Sequence, residues 1–499
     1  MFDKKSLLLV VVSTTGGLIA CEIGLRLLTP YGAGKASPIP GIAAAAGSGS
    51  LETAVAYVAR MGVARGTDRR WFTEDPEPLK PGPVDKATLA RYQDFGRRGI
   101  PQLYAQFIFN AVFLAGGGCR TDGIFRNFPD KALVFDPPGK TEYPRFRFPA
   151  DATEPDGLVT NRFGLRGPQI PLEKPPRTIR LAFVGASTTV NPHNFSFSYP
   201  EYTAPWLNRF AQANGMDVRF EVLNAGREGL GSTDIAAIVR GELAPLGPDV
   251  VVYYEGANQF YAHELMVPRQ SQRATLDPQD RVGSHKLPEW IRLHSAIGDL
   301  IDRAVAGFVD VGEPAKPSYR IRWPAGVDEH RPDPNHPGLP LDLPRIVRDL
   351  DSIRGALQPI GGELVLASFE RLAGDGMRLS PVAHEHIYRQ LNTQLWPFRY
   401  ADVRRLTDFQ NRVYRAYAES RRIPLLDIAG EMPQDPSLFS DTIHMTEVGE
   451  RLKAWIAFQQ LVPYLRRQIE NGILPRTSRQ PLPPPPSLTP HEMRVCPGR

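Results

Sequence analysis

Four short clusters carry residue types that could do chemistry together. They read Gly185-Ala186-Ser187-Thr188-Thr189, Asn224-Ala225-Gly226-Arg227-Glu228-Gly229, Glu255-Gly256-Ala257-Asn258-Gln259 and Asp441-Thr442-Ile443-His444. Acyl transfer through a side-chain hydroxyl needs a nucleophile, a base, an orienting acid and donors aimed at the developing oxyanion. Ser187 supplies a hydroxyl, His444 can take its proton, and Asp441, three residues earlier, can hold the imidazole in the right tautomer. The oxyanion donors would be the Ser187 N–H, the Gly229 N–H and the Asn258 side-chain amide, with glycine at 229 letting the backbone come close to a ligand. Each cluster alone has a plainer reading. Ser187 fits a helix N-cap, Asp441 a helix-start cap beside a nearby histidine, and Gly229 and Asn258 turn positions. The argument for chemistry is the conjunction, with each cluster following an expected strand.

Those strands are short apolar runs separated by helical patterns. Thr178–Gly185 is the first, Arg219–Asn224 the second, Pro248–Tyr254 the third, Glu363–Ser368 the fourth and Ile423–Ile428 the fifth. Helical stretches are expected at about 199–214, 233–243 and 406–419. Continuous apolar strands alternating with helices indicate a parallel sheet buried on both faces, hence a three-layer α/β/α sandwich. In such sheets ligands bind outside the carboxyl ends of the strands, where the four clusters fall. Residues 260–345 exceed what a crossover needs and read as an insertion with a helical patch near 288–308, either a lid or substrate wall or a surface decoration.

The four clusters, in this order, resemble the signature blocks of the SGNH (GDSL-like) hydrolases, over roughly residues 155–467. Thr160-Asn161-Arg162-Phe163-Gly164-Leu165-Arg166-Gly167 also resembles the lead-in of membrane-tethered bacterial members. The resemblance implies a flavodoxin-like SGNH hydrolase fold and an ester hydrolase, an esterase or deacylase. It implies Ser187, Asp441 and His444 as the catalytic triad, and Ser187, Gly229 and Asn258 as the oxyanion hole. Two positions depart from the family pattern: Ala186 stands where an aspartate is usual, and Gln259 where an aspartate usually follows the asparagine. Neither removes a triad member or an oxyanion donor, but both alter the hydrogen bonds that brace the site. An O-acyltransferase modifying an extracytoplasmic polysaccharide would use the same residues. A catalytically idle envelope glycan-binding protein is the rival from another class.

The rest of the chain sets the context. It has 499 residues, 42% apolar and 23% charged, with a net charge of +5 and 49 prolines, ordinary globular proportions apart from the proline. Its basic residues are interleaved with acidic ones, so no nucleic-acid partner is expected. Lys4 and Lys5 precede an apolar run from Ser6 to Cys21, extendable to Leu28. Residues 1–28 therefore read as a signal anchor or, because Leu18-Ile19-Ala20-Cys21 resembles a lipobox, as a lipoprotein signal; a buried N-terminal helix is the third reading. Both membrane readings put the catalytic domain outside the cytoplasm, in the periplasm or at the cell surface.

Residues 29–150 read as a linker followed by helical and extended segments, with helices expected at 51–65 and 85–115. The hydrolase domain is expected at 151–470 and a proline-rich tail at 471–499. The three cysteines, Cys21, Cys119 and Cys496, have no zinc-ligand spacing. His384-Glu385-His386 reads as a surface pair on a helix, since i and i+2 face apart. No metal, no cofactor and no phosphate-binding loop is expected. The expected substrate is an acyl ester or an acetylated glycan.

Overall fold

The computed structural model describes residues 51–74, 159–191, 197–268, 310–381 and 383–476, with short pieces at 119–120, 147–148, 150–151, 297, 485 and 494–495. Residues 1–50, the expected helix at 85–115 and the patch near 288–308 lie outside the described residues, Ile297 apart. Among the described residues no helix is long and apolar enough to cross a membrane.

The sheet forms where the sequence is continuously apolar. Strand β1 (Thr178–Gly185) is buried at all eight positions, and β3 (Val250–Tyr254) at all five. Strands β2 (Arg219–Asn224), β4 (Glu363–Ala367) and the two-residue β5 (Leu425–Leu426) complete a five-stranded sheet in the order β2-β1-β3-β4-β5. Every pairing is parallel, with Phe183 opposite Asn224 on one side and Val252 on the other. That order is doubly wound: the chain leaves β1 for one neighbour, returns to the other, and opens a crevice at the carboxyl ends of β1 and β3.

The helices fill two layers, as right-handed crossovers require. Helix α3 (Tyr199–Ala213) packs on α7 (Glu447–Glu470), and α4 (Ser232–Ile238) on α5 (Leu343–Leu357). Helix α5 also touches α6 (Tyr400–Arg421). Helix α1 (Leu51–Arg60) packs against α7, ahead of a single turn that buries Trp71 and Phe72. The Trp206 indole N–H donates to Trp71 O at 3.0 Å, and the Trp206 and Trp455 rings meet edge to face at 5.2 Å. The N-terminal segment is thus fastened to the α3–α7 layer by aromatic burial.

Helix α1 and the fifth strand differ from the sequence reading. Helix α1 ends at Arg60. The fifth strand is reduced to Leu425–Leu426. Helix α7 buries Glu450, Arg451, Lys453 and Gln459 along with its apolar residues. The described ends of the 260–345 insertion form a small antiparallel ladder, Met266–Pro268 with Tyr319–Ile321. The Tyr319 hydroxyl then donates to Asp402 Oδ2 at 2.5 Å, tying that ladder to α6.

Burial inside the sheet includes charge. Arg180 on β1 is fully buried and donates through Nε (2.9 Å) and Nη2 (2.8 Å) to Glu221 Oε2 on β2. Its remaining N–H groups reach the carbonyls of Pro171, Leu172 and Leu246. Removing one partner of a buried ion pair leaves the other charge uncompensated, at a cost of about 3–5 kcal/mol. We expect Arg180→Met to lower unfolding stability in urea by about that amount; an unchanged midpoint would show that Glu221 finds another partner.

Candidate active site

The turn after β1 is built by close packing. Helix α2 (Ser187–Val190) is a single turn that starts at Ser187 and ends at Asn191, whose φ is 45°. A side chain on Gly185 would strike Thr189 and the Tyr254 carbonyl, and one on Gly226 would strike Val190 N and Thr189. The glycines of the Ser and Gly clusters are therefore what lets the two turns interlock. Asn224 joins them: its Nδ2 donates to Thr189 O (2.8 Å) and its Oδ1 accepts from Gly226 N (3.0 Å).

Against this turn lies the Asp441–His444 loop. It follows β5 only after two further short helical turns and is closed by an antiparallel bridge between Phe439 and Met445. Asp441 Oδ1 accepts the N–H groups of Ile443 and His444, both at 2.8 Å, which curls the loop so that Asp441 Oδ2 meets His444 Nδ1 at 2.7 Å. His444 Nε2 lies 2.8 Å from Ser187 Oγ. With Nδ1–H donated to the carboxylate, Nε2 is the acceptor and the Ser187 hydroxyl donates; the tautomer follows from the network. Burial alone would raise the Asp441 carboxyl. The His444 charge, its hydrogen bond and the two backbone donors outweigh burial and hold that carboxyl well below the usual carboxylate range. All three side chains are largely buried, with Ser187 8% exposed.

The two other sequence-predicted residues flank this line. Because β1 lies between β2 and β3, the loops after β2 and β3 meet over the end of β1. Asn258 Nδ2 donates to Leu230 O at 2.9 Å, linking the Asn loop to the residue after Gly229. One hydrogen of that amide is so used, and among the described residues the second has no acceptor. Gly229 has φ +69° and open space beside its Cα. Neither the Ser187 N–H nor the Gly229 N–H has an acceptor among the described residues. The arrangement can take a proton from a hydroxyl next to unpaired backbone donors.

Sequence reasoning gave no role to several residues that brace these loops. Gln259, in the place of the usual aspartate, accepts from Ser232 N at 2.6 Å and donates to Asp342 Oδ2 at 3.0 Å, so it ties the Asn loop to the start of α4 and to the end of the insertion. Glu255 Oε1 accepts from the N–H groups of Ala257 and Asn258, both at 2.8 Å. Burial pushes its carboxyl up to about 7, against those backbone donors and the charge of Arg371. Arg371 is itself buried, with its guanidinium 4.3 Å from the Phe260 ring. Position was the available signal, since Glu255 and Gln259 both lie within five residues of the end of β3. At the other departure, Ala186 is 1% exposed beneath the turn, where an ionised side chain would need its own partner.

His384 and His386 bond locally. The Ser380 N–H donates to His384 Nδ1 at 3.1 Å, and His386 Nδ1 lies 3.1 Å from Arg389 Nη2. No group of His, Cys, Asp and Glu suited to holding a metal occurs among the described residues.

Over somewhat more than half of its length the chain is similar to GDSL-like and acetylxylan-esterase structures. A GDSL-like lipase from Bacteroides thetaiotaomicron is 13% identical, with a TM-score of 0.27, over 59% of this chain and 88% of that one. An acetylxylan esterase from Geobacillus stearothermophilus is 13% identical, with a TM-score of 0.30, over 57% of this chain and 94% of that one. At these scores the likeness adds nothing to the strand order and side-chain geometry of the chain itself. No family model matches the chain, and no curated protein matches it.

Two outcomes test the bracing of this site. A methyl group at 226 has no room beside Val190 N and Thr189, so we expect Gly226→Ala to cost about 1–3 kcal/mol of stability, read by thermal or urea unfolding. Glu255 has a folded-state pKa above its ordinary 4.5, so its contribution to stability is full below 4.5 and is lost as pH rises through about 7. Glu255→Gln keeps the acceptor and removes the titration. The variant should gain on the wild type as pH rises from 5 to 8, by up to about 3 kcal/mol, in paired urea unfolding curves; a pH-independent difference would contradict the assignment.

Proposed function

We propose that this chain is a serine hydrolase of the SGNH type acting on ester bonds. Ser187 is the nucleophile, His444 the general base and then acid, and Asp441 the residue that orients the imidazole. The Ser187 N–H, the Gly229 N–H and the Asn258 amide form the oxyanion hole. The observation that carries this reading is the continuous line Asp441 Oδ2–His444 Nδ1 at 2.7 Å and His444 Nε2–Ser187 Oγ at 2.8 Å, beside N–H groups that have no acceptor among the described residues.

The chemistry follows from that line. Nε2 takes the Ser187 proton as Oγ bonds to the ester carbonyl carbon, and the carbonyl oxygen becomes the oxyanion. Collapse expels the alcohol, which leaves with the proton from Nε2, and the acyl group remains on Oγ. Water then gives a proton to Nε2 and attacks the acyl carbon. The carboxylic acid departs, and Oγ recovers the proton. Asp441 stays ionised throughout, which its lowered carboxyl favours.

For the substrate, acetylated glycans are the first class to test. Tyr261, three residues past Asn258, is 49% exposed and offers an aromatic face on which a sugar ring can lie. A sugar hydroxyl in place of water would make the same site an O-acyltransferase. For location, we propose that residues 1–28 tether the chain to a membrane with the site on the outer side; fractionation of cells making the full chain and a residue 29–499 variant tests this.

Ser187 should be labelled by a fluorophosphonate probe, and Ser187→Ala should abolish both labelling and hydrolysis of 4-nitrophenyl acetate. His444→Ala should lower kcat by about 10⁴-fold with the folded state intact. No labelling of the wild type would favour a binding protein without catalysis.

A further inference from the structure

Helix α2 has only one turn, so its carbonyls lack the partners that a longer helix would provide. All of them are nonetheless bonded. Ser187 O accepts from Asn191 N at 2.8 Å, and Thr189 O from Asn224 Nδ2 at 2.8 Å. Thr188 O accepts from Lys453 Nζ at 3.0 Å. Val190 O and Asn191 O both accept from Arg166 Nη1, at 2.9 and 2.5 Å. Two of these donors are buried cations from opposite ends of the domain. Arg166 comes from the segment ahead of β1, and Lys453 from α7.

Each cation is held by its own carboxylate. Lys453 is fully buried, 2.5 Å from Glu450 Oε1, with its Nζ 4.5 Å from the Tyr199 ring. Arg166 Nε donates to Glu201 Oε2 at 2.7 Å, and that oxygen also accepts from Ser198 N (2.8 Å) and Ser198 Oγ (2.7 Å). Ser198 Oγ in turn accepts from Asn224 Nδ2 at 2.9 Å, so the donors to Thr189, Val190 and Asn191 belong to one network. Arg166 is delivered by a local device. The Asn161 side-chain oxygen accepts from Phe163 N and Leu165 N, and Arg166 then bridges to the backbone of Asn224.

Buried ion pairs contribute little net stability compared with apolar packing. Two of them converging on the carbonyls of one turn are explained by what the turn carries. We propose that Arg166 and Lys453 are positioning residues for Ser187: through the carbonyl oxygens of residues 188, 190 and 191 they fix the turn, keeping Oγ on His444 Nε2 and the Ser187 N–H toward the oxyanion. The inference rests on the serine-hydrolase reading and adds two residues to it.

The test compares the full chain with Lys453→Met/Glu450→Gln, which removes both charges at similar size, and with Arg166→Lys, which keeps the charge but loses the two-carbonyl grip. A displaced nucleophile should lower kcat for 4-nitrophenyl acetate by about 10- to 100-fold in each, with KM within about twofold and fluorophosphonate reaction slowed by the same factor. Amide exchange should accelerate at residues 188–191 and stay unchanged elsewhere. Wild-type kcat in both variants would overturn the proposal, and so would loosening spread evenly through the fold. If the wild type neither hydrolyses the ester nor reacts with the probe, the hydrolase reading fails. Amide exchange at 188–191 then decides the clamp alone: locally faster exchange supports it, and unchanged exchange overturns it.

Discussion

The structure around the crevice depends on one hydrogen bond, between Ser187 Oγ and His444 Nε2, whose residues are 257 positions apart in the chain. No local preference can make that contact. It requires β1 to end at the sheet rim, and it requires the chain to pass through four more strands of the sheet before returning a loop to the same rim. The parallel sheet is what makes this reproducible. A side chain placed just after a buried strand has its height fixed by the register, and β1 is gripped by β2 on one side and β3 on the other.

Much of this was legible in the sequence, because it depended on short-range rules. Thr178–Gly185 and Arg219–Asn224 are found as strands over the expected residues, since an apolar run closed by glycine or asparagine has few alternatives at that length. The five residues singled out for chemistry all lie at the carboxyl rim. What was not legible was the support. Helix α7 turns Lys453 and Glu450 inward, and a buried pair of opposite charges looks, in sequence, like a solvated i,i+3 pair. The segment Thr160–Gly167 stood out in the sequence, but only the Asn161 turn shows that it delivers Arg166 to the carbonyls of Val190 and Asn191. The bracing role of Gln259 comes from its two bonds, to Ser232 and Asp342, which the sequence does not show.

Charge is distributed unevenly through the domain, in a way that matches these roles. At the amino ends of the strands, Arg180 pairs with Glu221 and Lys174 with Asp249, and the Arg180 guanidinium also reaches loop carbonyls. At the carboxyl ends, Arg166, Lys453, Glu255 and Arg371 lie against the loops that carry Ser187 and Asn258. The first set holds strand ends together. The second surrounds loops whose backbone must stay in one conformation without the help of long helices or ladders. Low dielectric makes each such bond stronger and each broken one more costly, so the loops have few alternatives of similar energy.

The bond from Gln259 to Asp342 has a consequence for how this scaffold could be remodelled. Asp342 closes the long excursion between β3 and β4, and its own backbone is left-handed, with φ 56°. The excursion is therefore not a free appendage: its exit is moored to the residue next to Asn258. Grafting a foreign segment between residues 268 and 310 keeps both moorings, the Tyr319–Asp402 bond and the Gln259–Asp342 bond. Excising the whole span up to 345 would remove both and leave the Gln259 amide without its acceptor. The last few residues of the excursion thus belong, mechanically, to the rim that carries Ser187 and Asn258.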